Sequence, residues 1–152
     1  VYGIPADAAG VLEVTPATQA VTTFDNYAGT DKWRVGVLAG NGKIYGVPSD
    51  SASVLEIDPA TGTSSTFGAL AGADKWHSAL LAGNGLIYGI PNQATGVLVV
   101  DPVARTATTF ANIAGNDKWR SAVLAPNGRI YAIPADNGNI LVINPATNTT
   151  SN

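Results

Sequence analysis

The protein has 152 residues, among them 17 Gly and 9 Pro, with 45% hydrophobic residues, 12% charged residues and a formal net charge of −3. That length suffices for one domain with its own core, and so few charges exclude a polybasic nucleic-acid surface. The lack of Cys excludes a disulfide framework, a thiolate zinc site and a cysteine nucleophile, and no apolar run approaches the roughly 18–20 residues that would insert in and span a bilayer.

The chain repeats itself. Tyr2, Tyr45, Tyr88 and Tyr131 stand 43 residues apart, and Pro5, Pro48, Pro91 and Pro134 keep the interval. So do Pro16, Pro59, Pro102 and Pro145, and the set Trp33, Trp76 and Trp119. Residues 44–86 and 87–129 share 22 of 43 positions without a gap. The copies are 1–43, 44–86, 87–129 and a shorter 130–152, all read as one domain or part of one.

Within the unit the elements follow in chain order. Residues 76–82 predict a first strand, closed by an Asn-Gly turn of the kind that takes positive φ at both central residues, a type I′ hairpin. The pair recurs at Asn41-Gly42 and Asn127-Gly128. Ile87–Pro91 predicts a second strand, ended by a proline that cannot donate to a ladder. A variable loop leads to a third strand at 97–100, then an Asp-Pro turn. Thr106–Phe110, rich in Thr, predicts an outer, half-exposed fourth strand. Helix is a poor fit, since Gly or Pro interrupts nearly every ten residues and no capped stretch of helical period survives.

Four strands in a unit of about 43 residues is the pattern of a β-propeller blade. The fold class is therefore all-β, a propeller of four-stranded antiparallel blades with about three and three-quarter blades in the chain. Apolar residues on both faces of the middle strands (Ile44 to Val47, Val54 to Ile57) suit blades sandwiched between others. Small residues on the first strand (Gly36, Ser78, Ala79, Ser121, Ala122) suit strands crowded at a narrow centre. The block Val-Leu-x-Ile-Asp-Pro-Ala-Thr-Gly at 54–62 resembles the third-to-fourth strand corner of NHL, YVTN and PQQ-type repeats, and Ile-Tyr-Gly-Ile-Pro at 87–91 resembles repeat arrays of large extracellular proteins. The resemblance covers the whole chain and implies a propeller; it does not imply one function.

An antiparallel meander puts the Asn-Gly and Pro turns on one side. The loops after Pro5, Pro48, Pro91 and Pro134, and the crossings between blades, lie on the other. The crossings carry the charged motif common to all complete units: Asp31-Lys32-Trp33, Asp74-Lys75-Trp76 and Asp117-Lys118-Trp119. Read functionally, these nine residues form a ring of Trp faces and Asp/Lys pairs suited to stacking on sugar rings. Read structurally, Trp packs between blades, Asp accepts backbone N–H bonds and Lys is solvated.

No catalytic or metal-ligating set emerges, and no cofactor is expected. His77, matched by Arg34 and Arg120, is the sole histidine, so neither a multi-histidine site nor a Ser/His/Asp assembly is expected. Glu13 and Glu56 are the only glutamates, and nothing in the sequence pairs them for glycoside hydrolysis. Asn148-Thr149-Thr150 is a glycosylation sequon on a turn, which would make the protein a glycoprotein.

The expected function is therefore a non-enzymatic structural or interaction module, extracellular or at the cell surface, that assembles as an oligomer or filament. Its partners would be other copies or blades of the same repeat. A lectin-like, glycan-binding propeller is the alternative, and a propeller hydrolase or lactonase the third. Four full units exceed the chain by the stretch matching residues 110–129, which leaves an unpaired edge in the first blade. From this the chain is expected to be the visible part of a longer repeat protein, or a protomer whose edges neighbours cover.

Overall fold

A computed structural model describes all 152 residues and contains strands but no helix. The first sheet has three strands, β1 (Tyr2–Gly3), β2 (Val11–Thr15) and β3 (Ala20–Phe24). The second has four, β4 (Trp33–Leu38), β5 (Ile44–Pro48), β6 (Val54–Asp58) and β7 (Thr63–Phe67). The third repeats it as β8 (Trp76–Leu81), β9 (Ile87–Pro91), β10 (Val97–Asp101) and β11 (Thr106–Phe110). The fourth is β12 (Trp119–Leu124), β13 (Ile130–Pro134), β14 (Leu141–Asn144) and β15 (Thr149–Ser151). Every pairing is antiparallel between chain neighbours, so each sheet is a meander. β4, β8 and β12 pack side by side at the centre. The first sheet begins at the second-strand position of the unit; Ile4 reaches over Gly36, where a Cβ would stand 2.6 Å from Ile4 Cγ1.

The core lies between the sheets. Tyr45, Val47 and Val54 of the second blade meet Trp76, Ile87, Leu98 and Val100 of the third. Tyr88, Ile90, Val97 and Val99 meet Trp119, Ile130, Leu141 and Ile143 in the same way. Most of these side chains are wholly shielded from solvent, which is why the middle strands are apolar on both faces. A blade buried on one face only would alternate.

One local expectation needs correction. The Asn-Gly turns are not type I′, because Gly42, Gly85 and Gly128 have positive φ (80°, 81°, 76°) while the asparagines before them do not. Gly42 N–H donates to Ala39 O (3.1 Å) and Ala39 N–H to Lys43 O (2.9 Å), which makes a three-residue loop with glycine in the left-handed position. The reason is side-chain bonding. Asn41 Oδ1 accepts the Lys43 N–H, and its Nδ2 donates to Tyr45 Oη (2.9 Å) and to Pro102 O in the next blade (3.3 Å). Asn84 repeats the arrangement with Tyr88 and Pro145.

The inner strands are also irregular, at one residue each. Trp33 pairs with Pro48 and Val35 with Val47, so Arg34 is bulged out of register. His77 and Arg120 are bulged identically. The proline opposite supplies no N–H, and a bulge re-aims the extra side chain out of the sheet.

Candidate functional site

The loop side of the blades carries the Asp-Lys-Trp crossings. Each tryptophan is buried (2%, 2% and 0% exposed for Trp33, Trp76 and Trp119). Each indole N–H donates to a carbonyl 20 residues on: Ser53 O (2.7 Å), Gly96 O (2.9 Å) and Asn139 O (2.9 Å). The rings are therefore packed and pinned, and no ring of open Trp faces exists for sugar stacking.

The lysines are not solvated. Lys32, Lys75 and Lys118 are 4%, 2% and 1% exposed. Lys75 Nζ donates to Ser49 O and Gly72 O, both at 2.6 Å. Lys118 Nζ does the same to Asn92 O (2.8 Å) and Gly115 O (2.7 Å). Lys32 Nζ places all three of its hydrogens, on Ala6 O (2.8 Å), Ala8 O (3.1 Å) and Gly29 O (2.7 Å). Each ammonium thus joins the crossing to the loop of the preceding blade. An ammonium so buried requires such partners. Desolvation pushes Lys75 and Lys118 below the ordinary lysine pKa.

The aspartates also differ from expectation. Asp31, Asp74 and Asp117 hold left-handed backbone (φ 47°, 49°, 43°). Their carboxylates accept no backbone N–H: at the first two crossings it is the Asp7 and Asp50 carboxylates that accept, from Asp31 N–H (2.8 Å) and Asp74 N–H (2.6 Å), while the Asp31 and Asp74 carbonyls accept from Asp50 N–H (2.9 Å) and Gln93 N–H (3.1 Å). Their carboxylates face the bulged residues instead. Arg34 Nη2 lies 3.5 Å from Asp31 Oδ1 and 3.4 Å from Asp74 Oδ1, and Arg120 Nη2 lies 3.5 Å from Asp117 Oδ1. His77 Nε2 meets Asp74 Oδ1 at 2.5 Å. Asn92 Nδ2 donates to Asp74 Oδ2 (2.9 Å) and reaches Asp117 Oδ1 (3.4 Å). Burial alone would raise the Asp74 pKa; the bond and charge of His77, with Arg34 and Asn92, outweigh it and hold the carboxyl below its ordinary value.

Sequence reasoning missed this polar ring, since it treated His77 as merely interchangeable with arginine and passed over Asn92. The available signal was Asn92 itself, a lone amide where the other copies have Ala6, Ser49 and Ala135. Asn92 is fully buried and its Oδ1 has no partner. No cluster of three or more His, Cys, Asp or Glu side chains converges on a metal-sized centre. Elsewhere, Glu56 is buried between Lys43 (3.0 Å) and Arg105 (3.3 Å), and Glu13 accepts the Tyr2 hydroxyl (2.9 Å). Asn148 is exposed on the β14–β15 turn with φ 51°, and its Oδ1 accepts the Tyr88 hydroxyl (2.7 Å).

Two cavities open on the same side, between successive blades. One, of about 340 Å³, is formed by residues 26–28, Lys32, Trp33, residues 51–53 and Thr66. The other, of about 220 Å³, is formed by residues 69–71, Lys75, Trp76, residues 94–96 and Thr109. Every lining residue of the second is its counterpart in the first plus 43. The crossings thus contribute Lys and Trp to an inter-blade cleft, while the three aspartates point to the polar ring.

This architecture is that of a β-propeller repeat protein, and comparison with solved structures agrees. The chain is similar to virginiamycin B lyase from Staphylococcus aureus (TM-score 0.81, 7% identity, covering 99% of this chain and 50% of that one). It is also similar to an auxiliary nutrient binding protein from Bacteroides ovatus (TM-score 0.66, 15% identity, 99% and 37%). An extracellular domain of a Bacteroides thetaiotaomicron protein matches too (TM-score 0.72, 16% identity, 96% and 19%). The chain spans half or less of the length of these proteins. No family model and no curated protein matches the sequence. At these identities the likeness concerns the fold, which hosts lyase and binding proteins alike.

Proposed function

We propose that this chain is a non-catalytic interaction module, extracellular or at the cell surface, that associates blade upon blade with further copies of its own repeat. One observation carries the reading: the outward face of the fourth blade presents, uncovered, the side chains that form the core between the other blades. Ile133 and Ile140 are 45% and 48% exposed, whereas Val47, Ile90, Val54 and Val97 at the equivalent positions are fully buried. The polar half of the joint is also open. Asn127 Nδ2 bonds Tyr131 Oη (3.0 Å), but no proline carbonyl completes the set, as Pro102 and Pro145 do for the Asn41–Tyr45 and Asn84–Tyr88 pairs.

The opposite end of the chain offers the matching half. Leu12 and Val1 are 37% and 74% exposed, while Leu55, Leu98 and Leu141 at the Leu12 position are fully buried. Pro16 holds the repeat position of Pro102 and Pro145. Unlike faces at the two ends favour head-to-tail association, which closes as a ring or runs on as a filament. The extracellular placement is supported by the extracellular domain among the similar structures and by the low charge of the chain.

Light scattering across a concentration series tests the reading, with Ile140→Glu as the variant. The native chain is expected to associate as concentration rises and the variant to remain monomeric with its thermal transition retained. A native chain that stays monomeric, or association untouched by Ile140→Glu, overturns it.

A further inference from the structure

The two inter-blade cavities share their geometry but not their chemistry. Around the one between the second and third blades stand Ala69, Leu70, Ala71 and Ala94. The corresponding residues between the first and second blades are Asn26, Tyr27, Ala28 and Ser51, with Ser53 in place of Gly96. We infer that the 340 Å³ cavity between the first and second blades is a binding site for a neutral, polyhydroxylated ligand of monosaccharide size.

Three observations carry this. First, hydrogen-bonding capacity is left over. The Asn26 amide and the Thr66 hydroxyl line the cavity and make no bond within the protein, and Ser53 adds a hydroxyl engaged only by Ser51, at 3.4 Å. Amides and hydroxyls both donate and accept, as a sugar hydroxyl requires of its partners. Second, the cavity offers no free charge. Lys32, its one ionic lining residue, has all three N–H groups on backbone carbonyls, so an anionic ligand gains no counter-ion there.

Third, the aromatic wall is held in place. The half-buried Tyr27 ring packs edge-on against Trp33 (5.1 Å, 84°). Its hydroxyl bonds Ser64 Oγ (2.8 Å) on the next blade, and Asp25 Oδ2 accepts from both the Ser64 hydroxyl and the Ser64 N–H. A ring fixed before binding gives up little entropy on contact with the apolar face of a sugar. In the second cavity Gly68, Leu70 and Ala107 replace Asp25, Tyr27 and Ser64, and the buttress is missing. The volume lies at the low end of the roughly 300–1,000 Å³ of small-ligand cavities, enough for one sugar ring.

This inference stands apart from blade-on-blade association, since the cavity is internal to one chain. Saturation-transfer NMR and titration with the methyl glycosides of glucose, galactose, mannose and fucose, with N-acetylglucosamine and with glucuronate as the anionic control, test it on the native chain. At least one neutral sugar is expected to bind and glucuronate is not. Asn26→Ala and Thr66→Val, both at exposed positions, should each weaken binding about tenfold, the effect of one hydrogen bond whose partner is left unpaired. Thr109→Val in the second cavity should leave it unchanged. Failure of every neutral sugar to bind, equal binding of glucuronate, or affinity unaltered in both Asn26→Ala and Thr66→Val overturns the assignment. A thermal scan of each variant confirms that it is folded.

Discussion

Lys75→Met is the sharpest probe of how the blades are joined. Methionine matches the lysine stem in length and leaves the packing beside Trp76 intact, so the change isolates the ammonium. Its two bonds, to Ser49 O and Gly72 O at 2.6 Å, are charge-assisted, and such bonds contribute about 1.5–3 kcal/mol each. Ser49 O keeps the Lys75 backbone N–H at 3.2 Å, so the carbonyl stranded is that of Gly72. Against the loss stands relief from burying a cation, itself worth several kcal/mol. The two bonds sum to about 3–6 kcal/mol and the relief cancels about half of that, so the balance is a destabilisation of about 1.5–3 kcal/mol, well outside the roughly ±0.5 kcal/mol typical of a surface lysine. Urea unfolding followed by tryptophan fluorescence measures it. A change below about 0.5 kcal/mol would mean that water, not the two carbonyls, solvates this lysine, and the account of the crossing would fail.

Gln19→Gly is expected to stabilise the fold by about 0.5–1 kcal/mol, because Gln19 is exposed, holds φ 56° and occupies the turn position that Gly62 fills in the next unit; a thermal scan showing an unchanged or lowered midpoint would contradict this. Stability against pH should pass through an alkaline maximum. The native state holds Lys75 and Lys118 below their unfolded value of 10.5, so the unfolded chain binds more protons and stability rises as pH approaches 10.5. Burial raises Tyr45 and Tyr88 above 10.0, so from that pH the native state keeps protons the unfolded chain loses; this opposes the lysine gain up to 10.5 and lowers stability beyond it. Urea titrations from neutral pH upward check it, and the rising limb should flatten in a Lys75→Met, Lys118→Met double variant.

The strands were legible because the repeat aligns independent copies of the same instruction. β9 and β11 span the residues the sequence marks out, and both loop sides follow from the meander. What stayed hidden depends on partners far along the chain. The Asn-Gly pairs read as type I′ from local preference, yet Asn41 is committed to Pro102, 61 residues away. Lysine reads as solvated by its charge, yet Lys75 finds the Ser49 carbonyl 26 residues back. The bulges at Arg34, His77 and Arg120 left only the faint trace of a proline opposite each tryptophan. Neither cavity has a motif of its own, since each gathers residues from four segments.

Repetition itself separates packing from recognition. Positions between blades are buried and nearly invariant across the copies: tyrosine at 45 and 88, leucine at 55, 98 and 141, tryptophan at 33, 76 and 119. A change there would have to fit both neighbouring blades, so each copy is held to the same answer. Residues lining the clefts carry no such double constraint, and they diverge. Polar side chains at 25, 26, 27, 51, 53 and 64 gather at one cleft, where their counterparts in the next are small or apolar; at the third crossing Asn112, Asn137, Asn139 and Thr150 are polar again, but Ala111 and Ile113 replace Asp25 and Tyr27. Association and ligand binding therefore draw on different parts of the repeat: the first on the shared packing face left open at the chain's two ends, the second on the departures from repetition between its first two blades.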